Sequence, residues 1–227
     1  VATAVLSLAQ LYVDTNEAAK CVEKLEDPKL GVLTLIKAKN PATQKEGFDV
    51  LAYKIALRAY ISSLATSKDA AGTIKKAKEM MDLLETSMGN TPQGKSNLVA
   101  IYVTLARELQ TQLEIADPKA KEALGQGFKV FLEEVSKGAT ELNVLYWVGE
   151  TYRGMGESFL TGKNTVPPDA KVYLDKSLEI YNKILGMGKT NKSFLTPNMA
   201  DSIRMQIAKT NRTLLKYKES VDTFEEI

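Results

Sequence analysis

The sequence predicts an all-α chain of about ten helices, folded back on one another as antiparallel hairpins in five pairs. Three observations carry this reading. Apolar residues recur every three or four positions through most of the chain, the spacing of one helix face. The 14 glycines and 7 prolines cluster between those runs rather than inside them. Period-two alternation, the mark of a half-buried strand, is almost absent. At 227 residues, 44% hydrophobic and 26% charged, the chain has an ordinary composition that can bury a core without a membrane.

The first helix runs over residues 1–13, with Val5, Leu8, Ala9 and Tyr12 on one face. Asp14, Thr15 and Asn16 break it. The second, about 17–26, carries Ala18, Cys21, Val22 and Leu25 on its apolar side and ends at Asp27-Pro28, because a residue before proline is pushed out of helical geometry. Val32 to Ile36 is a short apolar run between breakers, read as a short helix or packed connector. A long pattern over 43–65 (Phe48, Leu51, Ala52, Ile55, Ala59, Leu64) is apolar around much of its circumference, so it should be covered on more than one side. Its partner runs to about Met88, with Ile74, Ala77, Met81 and Leu84 inward, and Gly89, Asn90, Thr91 and Pro92 stop it.

Residues 98–115 repeat the scheme with Tyr102, Leu105, Ala106, Leu109 and Leu113. Asp117-Pro118 opens the next helix, proline being favoured at the first helical position, and Lys137-Gly138 closes it. The clearest pair spans 143–181. Its first helix carries Leu145, Val148, Gly149 and Tyr152; its second carries Ala170, Leu174, Ser177 and Tyr181 after Pro167-Pro168, with Asp169 as N-cap. Gly149 facing Ala170 would let the two backbones approach closely. Residues 186–197 read as a polar loop. The last pair has Ile203, Ile207, Ala208, Asn211 and Leu214 on its first helix and Tyr217, Val221, Phe224 and Ile227 on its second.

Each first helix shows large, large, small, large at relative positions 4, 7, 8 and 11: Val5-Leu8-Ala9-Tyr12, Phe48-Leu51-Ala52-Ile55, Tyr102-Leu105-Ala106-Leu109 and Leu145-Val148-Gly149-Tyr152. In the last pair only Ile207 and Ala208 match, with Tyr217, Ser220, Phe224 and Ile227 following at the turn and second-helix places. Cys21 and Leu25 take second-helix places in the first pair; Ala170, Leu174 and Ser177 do in the fourth. This pattern resembles the tetratricopeptide repeat family. The small position recurs at Ala9, Ala52, Ala106, Gly149 and Ala208, steps of 43, 54, 43 and 59 residues, against about 34 in the family. Long helices and insertions such as residues 162–168 absorb the excess.

The resemblance implies a right-handed superhelix of hairpins, one domain over residues 1–227, acting as a protein–protein interaction scaffold. Its first helices would line a concave face for a peptide or partner protein, with Val103, Arg107 and Gln110, then Tyr146, Glu150 and Arg153, then Met205, Lys209 and Arg212 beside the packing positions. The partner-binding set is Arg107, Gln110, Tyr146, Glu150, Arg153, Lys209 and Arg212. Because apolar residues at Tyr217, Val221 and Phe224 run to the last residue, and the first is valine, the chain is expected to be part of a longer protein.

Other functions draw less from the sequence. With no histidine, His-ligated metal sites and His-based triads are excluded, and one cysteine, Cys21, allows no intrachain disulfide. Cys21 sits on an apolar face as a small core residue. Gly188-Lys189-Thr190 mimics a phosphate loop, but the glycine required five places earlier is Lys183, and a helix precedes it; a C-terminal glycine cap is the better account. Adjacent pairs Glu133-Glu134 and Glu225-Glu226 diverge on a helix. Asn191-Lys192-Ser193 and Asn211-Arg212-Thr213 fit the glycosylation triplet, which arises often by chance. No apolar run approaches the roughly 20 residues of a membrane span. No catalytic group, cofactor or metal is expected, so the chain is not read as an enzyme. Residues 161–218 hold eleven Lys and Arg against four Asp and Glu, giving a nucleic-acid-binding helical repeat as one alternative. A non-repeating helical enzyme or ligand-binding domain is the other.

Overall fold

The computed structural model describes residues 1–89, 91–160, 162 and 165–227. Asn90 in the break after the fifth helix lies outside the described residues, as do Thr161, Lys163 and Asn164 of the insertion and basic stretch. The described residues form eleven α-helices and no strand. They are α1 (Ala2–Asp14), α2 (Ala18–Glu26), α3 (Val32–Lys37), α4 (Phe48–Ser63), α5 (Ala70–Met88), α6 (Pro92–Ile115), α7 (Pro118–Gly138), α8 (Leu142–Ser158), α9 (Pro168–Thr190), α10 (Pro197–Thr213) and α11 (Tyr217–Glu225), with one 3-10 turn at Pro41–Thr43. The strongest packing joins α1 to α2, α4 to α5, α6 to α7, α8 to α9 and α10 to α11. The all-α fold of five hairpins is therefore as the sequence predicts, with α3 as the connector. The chain divides into two compact units, Val1–Gly138 and Ala139–Ile227.

Local chemistry fixes most boundaries. Asp69, Thr91 and Thr196 each accept a hydrogen bond from the N–H three residues on, capping α5, α6 and α10. Asp117 does the same for α7 from Ala120 at 3.0 Å. Pro92, Pro168 and Pro197 stand in the first helical turn, where their missing N–H costs nothing. Asp169 lies inside the first turn of α9 instead of capping it; Pro167 takes the cap position, and the Asp169 carboxylate meets the positive end of the helix dipole. Helix α9 runs on through Gly186 and Gly188 to Thr190, so the loop expected from residue 186 begins at 191 and neither glycine is a cap. One turn geometry closes three helices: Asn16, Lys39 and Leu215 adopt left-handed φ of 61°, 53° and 61°. In each case the next residue's N–H reaches a carbonyl five residues back, the closure of a Schellman turn.

In the first unit α4 is buried on most sides, packed against α1, α2, α3, α5 and α6, as its continuous apolar pattern predicts. Leu57, Ile61 and Leu64 join Leu25, Leu84, Leu105 and Leu109 among the fully buried side chains. The α1 face differs from expectation. Ala2, Leu6, Ala9 and Val13 are buried, whereas Leu8 is 37% exposed. The seated stripe is turned by about one residue, with only Ala9 shared. Leu51 of α4 is likewise 47% exposed. Arg58 on α4 ties three first helices together, bonding Asp14 of α1 at 2.6 Å and Glu108 of α6 at 3.0 Å.

The second unit keeps the predicted register on its first hairpin. Leu145, Val148, Gly149 and Tyr152 of α8 are buried against Ala170, Leu174, Ser177 and Tyr181 of α9. The close approach is not Gly149 to Ala170. A Cβ at Gly149 would stand 2.6 Å from the Tyr181 ring, and Gly156 is the glycine set against Leu174 and the Ala170 carbonyl. Antiparallel pairing brings the N-terminal end of one helix to the C-terminal end of the other, so Ala170 meets the later glycine. The Ser177 hydroxyl donates to the Gly149 carbonyl at 2.9 Å, and Ser220 of α11 donates to the Ala208 carbonyl at 2.8 Å. Of the α11 residues read as packing positions, only Ser220 is buried; Tyr217, Val221 and Phe224 form an exposed apolar stripe.

Candidate functional site

The expected site residues fall in both units. In the first, α6 presents Arg107 exposed and Gln110 half-buried, one turn apart. In the second, α8 brings Tyr146, Glu150 and Arg153 to one face, spaced four and three residues. Arg153 bonds Glu150 at 2.9 Å and Glu157 at 2.6 Å. From α9 the Tyr181 hydroxyl donates to the other Glu150 oxygen. Tyr146 lies beside Tyr181, ring centroids 6.5 Å apart and tilted 47°. Lys209 on α10 is exposed and adds its charge to the field at Glu150. Arg212 is also exposed, but opens into a different hollow with Leu160, Leu215 and Tyr217. The structure thus gathers Tyr146, Glu150 and Arg153 into one cluster, with the charge of Lys209 felt at Glu150, and leaves Arg212 apart.

The electrostatics of that cluster are those of a fixed polar platform. Burial pushes the Glu150 carboxyl up, but the Arg153 and Tyr181 hydrogen bonds, with the charges of Arg153 and Lys209, more than offset it and hold the group below its ordinary value. The hydrogen bond to Glu150 raises Arg153 further. Burial first, then Glu150, raises the Tyr181 hydroxyl. At neutral pH the platform therefore consists of a carboxylate, a guanidinium and a neutral phenol, each already oriented. Two of the residues that hold it together are absent from the sequence-derived set. Glu157 sits at i+4 from Arg153 and was accessible to a helical pairing rule. Tyr181 sits on the packing face as predicted, yet its hydroxyl reaches the site across 31 residues of sequence.

The basic stretch is partly neutralised. Lys171 and Lys216 both bond Asp175, the latter at 3.2 Å; Arg204 bonds Asp201 at 2.8 Å; and Lys183 donates to the Ala139 carbonyl at 3.3 Å. Lys176 lies over the Tyr152 ring, 5.4 Å from its centroid. Burial pushes the Cys21 thiol up to about 12. Among the described residues, no cluster of three or more Cys, Asp or Glu could hold a metal ion, and no helix is long and apolar enough to cross a membrane. Compared with known proteins, the sequence matches no family model, and neither a curated protein nor a solved structure matches it.

Proposed function

We propose that this chain is a tetratricopeptide-like repeat scaffold, not an enzyme, and that the first-helix faces of its later hairpins bind a peptide or partner protein. The observation that carries the reading is the Tyr146–Glu150–Arg153 platform, half-exposed and held by Tyr181 and Glu157. A tyrosine and an arginine fixed before binding lose little rotamer freedom when a partner docks, and both are residue types that carry interface energy. Neighbour-to-neighbour packing supports the repeat reading: α2 lies on α4, α5 on α6 and α9 on α10, each second helix against the next first helix. The two serine-to-carbonyl bonds of α9 and α11, both to the small residue of the preceding helix, support it independently.

The test is a peptide-library selection on the folded chain, followed by titration of the best binder. Tyr146→Ala and Lys209→Gln should each weaken it at least tenfold, about 1.4 kcal/mol, while Lys75→Gln on the outer face of α5 should not. Binders indifferent to both changes would refute the face assignment. The nucleic-acid reading of 161–218 draws less support, because several of its cations are already paired. A steep fall of oligonucleotide affinity with salt, abolished by Lys209→Gln and Arg212→Gln together, would revive it.

A further inference from the structure

The lysine of the failed phosphate-loop motif has a setting of its own. Where the last turns of α9, the loop 191–196 and the start of α10 meet, a cleft of about 300 Å³ opens. Leu185, Leu195 and Pro197 give it apolar walls, and Lys189, Lys192 and Arg204 give it three cations with no carboxylate in the lining. The cleft is built rather than incidental. A Cβ at Gly188 would come within 2.9 Å of Leu195, so glycine lets that side chain close onto the helix. The loop is tied by Asn191, whose side-chain oxygen accepts from the Ser193 N–H at 3.0 Å and hydroxyl at 2.7 Å. Thr196 then caps α10.

Charge decides what the cleft suits. Lys189 and Lys192 are exposed and make no ion pair among the described residues. Arg204 is paired with Asp201 at 2.8 Å and its Nε stands 3.8 Å from a Glu226 oxygen without a hydrogen bond, so Lys189 and Lys192 are the cations left for a ligand. The amino end of α10 adds its partial positive charge. A bare inorganic anion would meet the cations but leave the half-buried Leu185 and the exposed Pro197 in water. A purely apolar group would leave the cations unanswered. The volume is at the low end of ligand cavities, the size for a short segment.

We propose that this cleft binds an acidic peptide segment in which a carboxylate side chain neighbours a bulky aliphatic one. The carboxylate meets Lys189 and Lys192, and the aliphatic group covers Leu185 and Pro197, which the buried Leu195 backs from behind. None of Tyr146, Glu150, Arg153 or Lys209 lines the cleft, so this site stands or falls separately from the first-helix face.

The experiment is fluorescence anisotropy on the full chain with a labelled peptide alternating glutamate and leucine. Saturable binding is expected, weakened at least tenfold by the double change Lys189→Gln with Lys192→Gln. Lys189→Arg with Lys192→Arg should retain it, and Lys209→Gln should leave it unchanged. A glutamate-only peptide should bind at least tenfold more weakly. The proposal is overturned if the wild-type chain shows no saturable binding, if the double glutamine variant binds as tightly as wild type, or if the glutamate-only peptide does as well. It is overturned in favour of nucleic acid if an oligothymidylate displaces the peptide more strongly than unlabelled peptide does. Loss of binding in Lys209→Gln alone would move the peptide to the first-helix face.

Discussion

The close approach of α8 and α9 can be measured by one methyl group. Gly149→Ala adds a Cβ that would stand 2.6 Å from Cε1 and 3.1 Å from Cδ1 of Tyr181, a side chain with no exposed surface. The ring cannot swing away freely, since its hydroxyl is held on Glu150. Overpacking of this kind costs about 1–3 kcal/mol. Against that, alanine is favoured over glycine inside a helix by about 0.8–1.0 kcal/mol. Gly154, five residues on in the same helix, supplies the control, because nothing lies within 4 Å of a Cβ there. Gly154→Ala should therefore stabilise by about 1 kcal/mol, while Gly149→Ala should be neutral to destabilising by about 2 kcal/mol. The difference between the two variants removes the propensity contribution and leaves the steric one, about 1–3 kcal/mol. The only tryptophan, Trp147, lies in α8 and reports on the unit Ala139–Ile227 directly. In urea titrations followed by its fluorescence, with a slope of about 1 kcal/mol/M, the two midpoints should differ by roughly 1–3 M. Equal stabilisation by both changes would refute the packing described for this hairpin.

Three further outcomes follow from the same structure. Leu215 is held at φ 61° in the turn where the first hairpin has Asn16 at the same angle. A left-handed conformation costs an ordinary residue about 1–2 kcal/mol, so Leu215→Asn should raise and Asn16→Leu should lower stability by about 1 kcal/mol in thermal melts. Cys21, fully buried with its thiol pushed up to about 12, should resist thiol reagents at pH 8 in the folded chain and react at once in denaturing urea; rapid native labelling would contradict its core position. Glu150 and Asp175 are both held below their ordinary values of 4.5 and 3.8 in the fold. Their contribution is therefore fully present above the ordinary carboxylate range and is lost as pH falls through the lowered folded values. Urea midpoints read from Trp147 should drop on acidification below about pH 4.5, less steeply in Glu150→Gln.

Helices and hairpins were legible in the sequence because they follow from local physics. Apolar periodicity, Asp117-Pro118 and the Gly89-to-Pro92 break are contained within a few residues. The face that each helix seats was legible only where both partners carried the signature, as in α8 and α9. In α1 the apolar residues Val5, Leu6, Leu8, Leu11 and Val13 surround the helix so widely that two stripes fit equally well, and packing against α2, α3 and α4 selects the one through Leu6 and Val13. The long-range polar contacts leave no local trace: Arg58 with Asp14 and Glu108, or Tyr181 with Glu150, join residues 31 to 50 apart. For the same reason the basic stretch looked freer in sequence than it is, since Asp175 neutralises Lys216 from 41 residues away.

The seated faces also bear on where recognition can occur. In the later hairpins the candidate contact residues lie three before, one after and four after the small position, as Met205, Lys209 and Arg212 do around Ala208. The same offsets give Leu6, Gln10 and Val13 around Ala9, and Asp49, Tyr53 and Ala56 around Ala52. Leu6, Val13, Tyr53 and Ala56 are all buried. A partner arriving at α1 or α4 would therefore meet core residues already in use, and its contacts would have to come from other positions. Around Gly149 the same offsets give Tyr146, Glu150 and Arg153, none of them fully buried and two of them charged. A substitution scan should accordingly find the first two hairpins sensitive in stability and insensitive in binding, with affinity changes concentrated on α8 and α10. Affinity losses at Gln10 or Asp49 equal to those at Tyr146 or Lys209 would mean that the first hairpins contribute contacts of their own, and that the rotated seat of α1 serves binding as well as packing.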